Sequence, residues 1–342
     1  MRKLSLPAAL VVTGALCLAT AASALAAYVP TFAGSQNGAK TTLHVTSAKA
    51  DDSTAKITIY SPSAATLTQA PGATIGTVTA SINAKAISPD AVIPLTGSVI
   101  VADASKYNTP TDIGCSGAAT HAAVWNLSLT AAGQTLNVPV YIDATAGAEA
   151  ALGATKLQTC LASPDVGAAC AATLCAKLLD VNFTVSGVFT ASSAPLPTWI
   201  TLFTPYTAGT AAPNAAGTVT ALGIDPKPTV TAAAKAGKGG KVAVAGKVSA
   251  GGQPAPGVAV SVFSGAKKIA TTKTTPAGTF LATVTLKKGS YSLRVTAAAP
   301  ESNVTALGAC ALIPAGAPLP KCVSAMSAPF VASSPVVNLK VK

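Results

Sequence analysis

Residue types able to carry chemistry are scarce in this chain. Two histidines, His44 and His121, and eleven acidic side chains are all it has of the residue types that most often do general acid–base work. His121 follows Cys115 by six positions in a Gly/Ala-rich stretch, and a Cys–His pair is one way to build an activated nucleophile. The cysteine count argues for a different use. One of seven, Cys17, falls in the apolar leader, which leaves Cys115, Cys160, Cys170, Cys175, Cys310 and Cys322. An even set in an oxidising compartment reads as three disulfides, so Cys115 is a disulfide candidate before it is a nucleophile. Cys310 and Cys322 stand alone near the carboxyl end and are expected to pair, closing a loop worth about 3 kcal/mol. Cys170 and Cys175 point about 140° apart if helical, so they bond directly only in a loop. A partner swap with Cys115 and Cys160 stays open.

Other signatures are absent. There is no Gly-x-Ser-x-Gly, no HExxH and no phosphate loop. With no Cys/His cluster at zinc spacing, no metal or cofactor is expected. His44 lies on a polar strand face and reads as solvated. Asp51-Asp52 reads as a solvated turn, since it lacks the spaced ligands of a calcium loop. Trp125 and Trp199 could stack on sugars, but their apolar neighbours favour core packing. A hydrolase of extracellular polymers needs two opposed carboxylates, and no such constellation is visible. That activity, or a small-ligand site within residues 27–226, is therefore the alternative to a non-enzymatic role.

Charge is the strongest signal. The chain of 342 residues carries +12 overall with only 10% charged residues. Residues 27–226 hold seven Lys against ten acidic residues, whereas residues 227–342 hold thirteen Lys and Arg294 against Glu301 alone. Such a field attracts polyanions. The candidates for binding are the turn lysines Lys235, Lys238, Lys267, Lys268, Lys287 and Lys288. Acidic cell-wall polymers or anionic surfaces are the expected partners. Nucleic acid is not, because no basic-aromatic stack or helical reading element accompanies the lysines. Lysine on strand faces also serves solubility and edge protection.

The compartment follows from the amino end. Arg2 and Lys3, the apolar stretch 4–22 and Ser23-Ala24-Leu25-Ala26 form a signal peptide expected to be cleaved after Ala26. Beyond it, no apolar run approaches the roughly 20 residues of a membrane helix. The mature protein is expected to be secreted, in association with the cell envelope.

The elements that must position these residues are strands. Leu43 and Val45 alternate with polar neighbours, as do Ile57 and Ile59, then Val78, Ala80 and Ile82. Further strands are expected at 95–103, 122–130, 135–143, 180–190 and 198–204. Pro139 can offer no amide hydrogen, which places its strand at an edge. The Ala-rich pieces 144–157 and 167–179 read as short helices or long loops. A turn-rich stretch at 207–217 and Asp225-Pro226-Lys227-Pro228 divide the mature chain into 27–226 and 227–342. That tetrapeptide serves as either a stiff spacer or a packed joint. The second part alternates more cleanly, through Val242, Val244 and Val248, then Val258, Val260 and Val262. Phe280, Ala282, Val284 and Leu286 follow, and Lys287-Lys288-Gly289 reads as a hairpin into Tyr291, Leu293 and Val295. The fold class expected is all-β: an amino-terminal β-rich domain with disulfides and a carboxyl-terminal immunoglobulin-like β-sandwich.

Gly246-Lys247-Val248, the run 257–262, Pro276-Ala277-Gly278-Thr279-Phe280 and the run 289–295 resemble bacterial immunoglobulin-like domains of the carboxypeptidase-regulatory or transthyretin-like type. The resemblance covers about residues 227–299 and the last strand. It implies a seven-stranded sandwich of the kind used as a spacer or adhesive module. The run 160–166 and the run 199–206 are similar to uncharacterised exported proteins of high-GC Gram-positive bacteria, a likeness that implies no activity.

Overall fold

The computed structural model describes residues 28–131, 133–166, 175–314 and 319–342. The signal peptide at 1–26 and Cys170 lie outside the described residues. The first lobe is built from β1 (Thr31–Asn37), β2 (Lys40–Thr46), β3 (Thr54–Ser61), β4 (Thr74–Ala84), β5 (Val92–Ala102), helix α1 (Pro110–Ser116), β6 (Ala123–Ala131), β7 (Gln134–Ala144), β8 (Thr155–Cys160), β9 (Ala176–Ser186), β10 (Thr198–Pro205) and β11 (Val219–Ile224). The second holds β12 (Pro228–Ala236), β13 (Lys241–Ala250), β14 (Gln253–Pro254), β15 (Ala259–Ser264), β16 (Lys267–Lys273), β17 (Thr279–Thr285) and β18 (Gly289–Ala299). The chain ends with β19 (Ser302–Asn303), β20 (Cys322–Ser327), β21 (Phe330–Ser333) and β22 (Val337–Val341). The protein is nearly all β.

One long sheet forms the first lobe, in the order β1-β2-β9-β4-β5-β6-β7-β8-β3-β10-β11-β20-β19. Its strands bury alternate side chains, the period-two pattern of a half-covered sheet. The sheet curls until β1 packs over β10 and β11. Phe32, Trp125, Phe189 and Trp199 fill the space it encloses. Close approach there requires bare backbone. A Cβ on Gly34 would stand 2.7 Å from the Trp199 ring, and one on Gly223 would stand 2.6 Å from Phe32. Both tryptophans are 1% exposed, as expected of core residues.

The second lobe is an immunoglobulin-like sandwich. One sheet joins β12, β13 and β17, with β14 beside β13; the other runs β16-β15-β18, with β21 and β22 sharing the far edge of β18. Valines from both sheets meet between them, and β17 alternates exposed and buried residues along its length. Lys287-Lys288-Gly289 is not a hairpin. β17 pairs with β13 and β18 with β15, so this turn carries the chain from one sheet to the other.

Several local expectations change. Residues 144–157 contain a 3-10 turn at Gly147–Ala151 and the start of β8, and β9 occupies the end of the 167–179 stretch. Pro139 lies inside β7, which has neighbours on both sides, yet the ladder to β8 stops short of it. Helix α1 covers the outer face of β6 and β7, where Cys115, Val124 and Tyr141 make a small second core. Residues between β18 and β21 leave the sandwich. β20 runs parallel to β11 and extends the first sheet, the single parallel ladder among the described strands. The reason is burial: β11 is almost wholly enclosed, and Ala325 closes a cluster with Tyr60, Ile200 and Leu222.

Candidate functional site

Strand register decides where the lysines stand. β12 leaves the first lobe at Pro228, opposite Ala250, and reaches its far end at Ala236, opposite Val242. Lys235, Lys238 and Lys241 therefore belong to the end remote from the joint. β13 and β17 match Lys241 with Thr285, so the following turn with Lys287 and Lys288 reaches the same end. In the other sheet Gly289 faces Val341, and Ser264, which faces Leu293, precedes the turn into Lys267 and Lys268. Lys340 and Lys342 arrive there too. All six candidate lysines thus sit at one tip, and all are exposed. Among the described residues no ion pair involves any lysine after Lys227. The second lobe's lone acidic side chain, Glu301, lies at the opposite end against the first lobe.

That opposite end is a packed joint rather than a spacer. The Asp225 carboxylate accepts the Gln36 amide at 2.8 Å and the Lys227 ammonium at 2.6 Å, and Lys227 also donates to the Gln36 carbonyl at 3.0 Å. The Gln36 side chain donates to the carbonyls of Phe189 and Thr190 and accepts from Ser192. Beside this joint lies an open cleft of about 810 Å³, with Lys40 on one wall and Phe330 on the other.

His44 is not solvated; two carboxylates clamp it. Nε2 lies 2.9 Å from Asp180 of β9, and Nδ1 lies 3.0 Å from Glu301. Burial lowers the affinity of the ring for a proton. Hydrogen bonds and charge from Asp180 and Glu301 reverse that, holding its pKa above the ordinary 6.5. Because the folded value is the higher one, the stabilisation is complete below 6.5 and is lost as pH rises through the folded pKa. In denaturant melts, the wild-type chain should exceed His44→Gln in stability in mild acid, and the difference should shrink in alkali. A gap independent of pH would refute the assignment.

His121 meets no nucleophile. Its Nδ1 lies 2.9 Å from Asp143, while Cys115 is bonded to Cys160 with Cα atoms 5.8 Å apart. Tyr141 donates to Asp112 at 2.7 Å, which makes these groups a buttress for α1. Cys310 is bonded to Cys322, and Cys175 is also in a disulfide. Asp51 and Asp52 line a shallow recess with Lys85 and Asp165. Behind it, buried Lys177 donates to the carbonyls of Lys49 and Asp51, and burial lowers its pKa. Sequence reasoning missed Asp225, Gln36, Asp180 and Glu301. Only the Asp-Pro-Lys-Pro stretch offered a signal for any of them.

No protein-family model matches the chain, and no curated protein is significantly similar to it. Among solved structures it is similar to the T6 backbone pilin of serotype M6 Streptococcus pyogenes, described as a modular three-domain structure decorated with variable loops and extensions. The match has 6% identity and a TM-score of 0.26, covering 77% of this chain and 47% of the pilin. The chain thus spans about half the pilin's length, and no role for any residue here is drawn from it. No helix among the described residues is long and apolar enough to cross a membrane.

Proposed function

We propose that this chain is an exported, non-enzymatic structural or adhesive protein of the cell envelope, whose second lobe presents lysines to acidic surface polymers. The observation that carries the reading is the convergence of turns from both sheets, which gathers the lysines at one end with no acidic side chain among them. The leader and the disulfides support an exported setting. The packed joint supports a mechanical role, since it makes the first lobe a fixed mount for the tip. Within this reading the sandwich is of the carboxypeptidase-regulatory or transthyretin-like type, a spacer with a charged end.

Attraction of this kind is multidentate and screened by salt. The mature full-length chain should co-sediment with purified envelopes at low ionic strength and be released as salt rises. Changing Lys267, Lys268, Lys287 and Lys288 together to Gln should weaken retention at least about tenfold. Because these side chains are exposed, the melting temperature should stay the same. Retention that ignores both salt and the four substitutions would overturn the proposal.

A further inference from the structure

The wall of the first lobe is incompletely hydrogen-bonded at one end. β7 and β8 are hydrogen-bonded from Ala144↔Thr155 to Tyr141↔Gln158, and there the ladder ends. β7 continues to Gln134 alongside β6, while Thr159 and Cys160 stay with β3. Pro139, without an amide hydrogen, sits where the two strands part. At this end of the curled sheet lies a cavity of about 300 Å³, lined from every strand β3 to β9, with Leu127 and Leu129 of the core, Ile82, Leu178, Leu136 and Ala162 among its walls. No charged side chain lines it. A second, smaller space of about 30 Å³ shares Ile57, Leu127 and Thr159 with it and is also lined by Phe183. Thr159 borders both spaces, and its hydroxyl is buried with no hydrogen-bond partner.

From this geometry we infer that the cavity at this end of the first lobe binds a single aliphatic chain, the acyl tail of a lipid ester, with Thr159 donating to an uncharged oxygen of the ligand. The lining sets the chemistry. A charged group would lose its hydration there without compensation, whereas methylene groups gain by leaving water. The volume sets the length, since 300 Å³ takes about ten groups the size of a water molecule. An ester or hydroxyl oxygen beside Thr159 supplies the partner that the hydroxyl lacks.

Calorimetric titration of the full-length chain with n-hexanol, n-octanol, n-decanol and n-dodecanol tests the assignment. Affinity should rise about fourfold per methylene and level off near ten carbons. Thr159→Val should abolish the preference for methyl decanoate over decane. Ala162 is exposed on the rim, so Ala162→Trp should block binding with an unchanged melting temperature. Retention on neutral phosphatidylcholine vesicles would assign the cavity to membrane-held tails; decanol binding without it would assign it to free chains. Failure of all four alcohols to bind, or affinity that does not grow with chain length, would overturn the inference. The alcohol series needs no variant, so a misfolded Ala162→Trp chain leaves the test intact.

Discussion

Replacing Cys115 and Cys160 together by serine should lower the unfolding free energy by about 4 kcal/mol. The bond spans a sequence separation of 45, and loop-closure entropy grows with the logarithm of that span. The same change at Cys310 and Cys322, separated by 12, should cost about 3 kcal/mol. The first bond also has a local task. Helix α1 has only seven residues, too few to persist alone. Its attachments are the disulfide, the Tyr141–Asp112 hydrogen bond and the Lys56 ammonium, which donates to the Cys115 carbonyl at 2.7 Å. Loss of the disulfide should therefore loosen α1 before the sheet yields, changing the near-ultraviolet signal of Tyr107 and Tyr141 ahead of the main transition. A double-serine chain as stable as the wild type in urea, with the same tyrosine signal, would contradict this account.

Asp225→Ala should cost about 3 kcal/mol, the lower end of what is lost when one partner of a buried ion pair is removed. The Asp225 side chain is 8% exposed and Lys227 is 35% exposed, so water partly relieves the ammonium that remains. The Gln36 amide is less fortunate, because its acceptor vanishes inside the joint. Asp225→Asn keeps an acceptor for that amide but not the charge, and its loss should be roughly half as large. Urea denaturation gives both values, and scattering profiles of the two variants report whether the lobes separate. Equal stability of all three chains would show that the proline-flanked linker holds the joint without the carboxylate.

Legibility in the sequence followed the range of the cause. β17 was readable because its alternation is local and uninterrupted. β8 was not: its six residues follow an Ala/Gly-rich stretch and carry a polar-rich pattern. β11 was hidden for another reason, since burial on both faces erases alternation. The lysine count was plain, but their gathering at one end depends on register across two sheets. His44 shows the limit most clearly, for Glu301 stands 257 residues away. Nothing near His44 could announce that partner. The Lys287-Lys288-Gly289 turn failed differently. A short polar turn between two alternating runs looks the same whether the chain folds back beside itself or steps across to a facing layer.

The parallel seat of β20 on β11 also sets a timetable. A chain made or delivered amino end first has every other strand of the long sheet except the two-residue β19 in hand by residue 224, yet waits nearly a hundred residues more for the one that seals its last long edge. Through that interval β12 to β18 of the sandwich can pair while β11 keeps open hydrogen-bonding groups on one side, inviting a neighbouring chain to take the place. Truncation before Cys322 would make the interval permanent. Shortened products should accumulate as strand-exchanged oligomers or aggregates, and the last twenty-odd residues act as the latch that lets the nascent molecule become independent of its siblings.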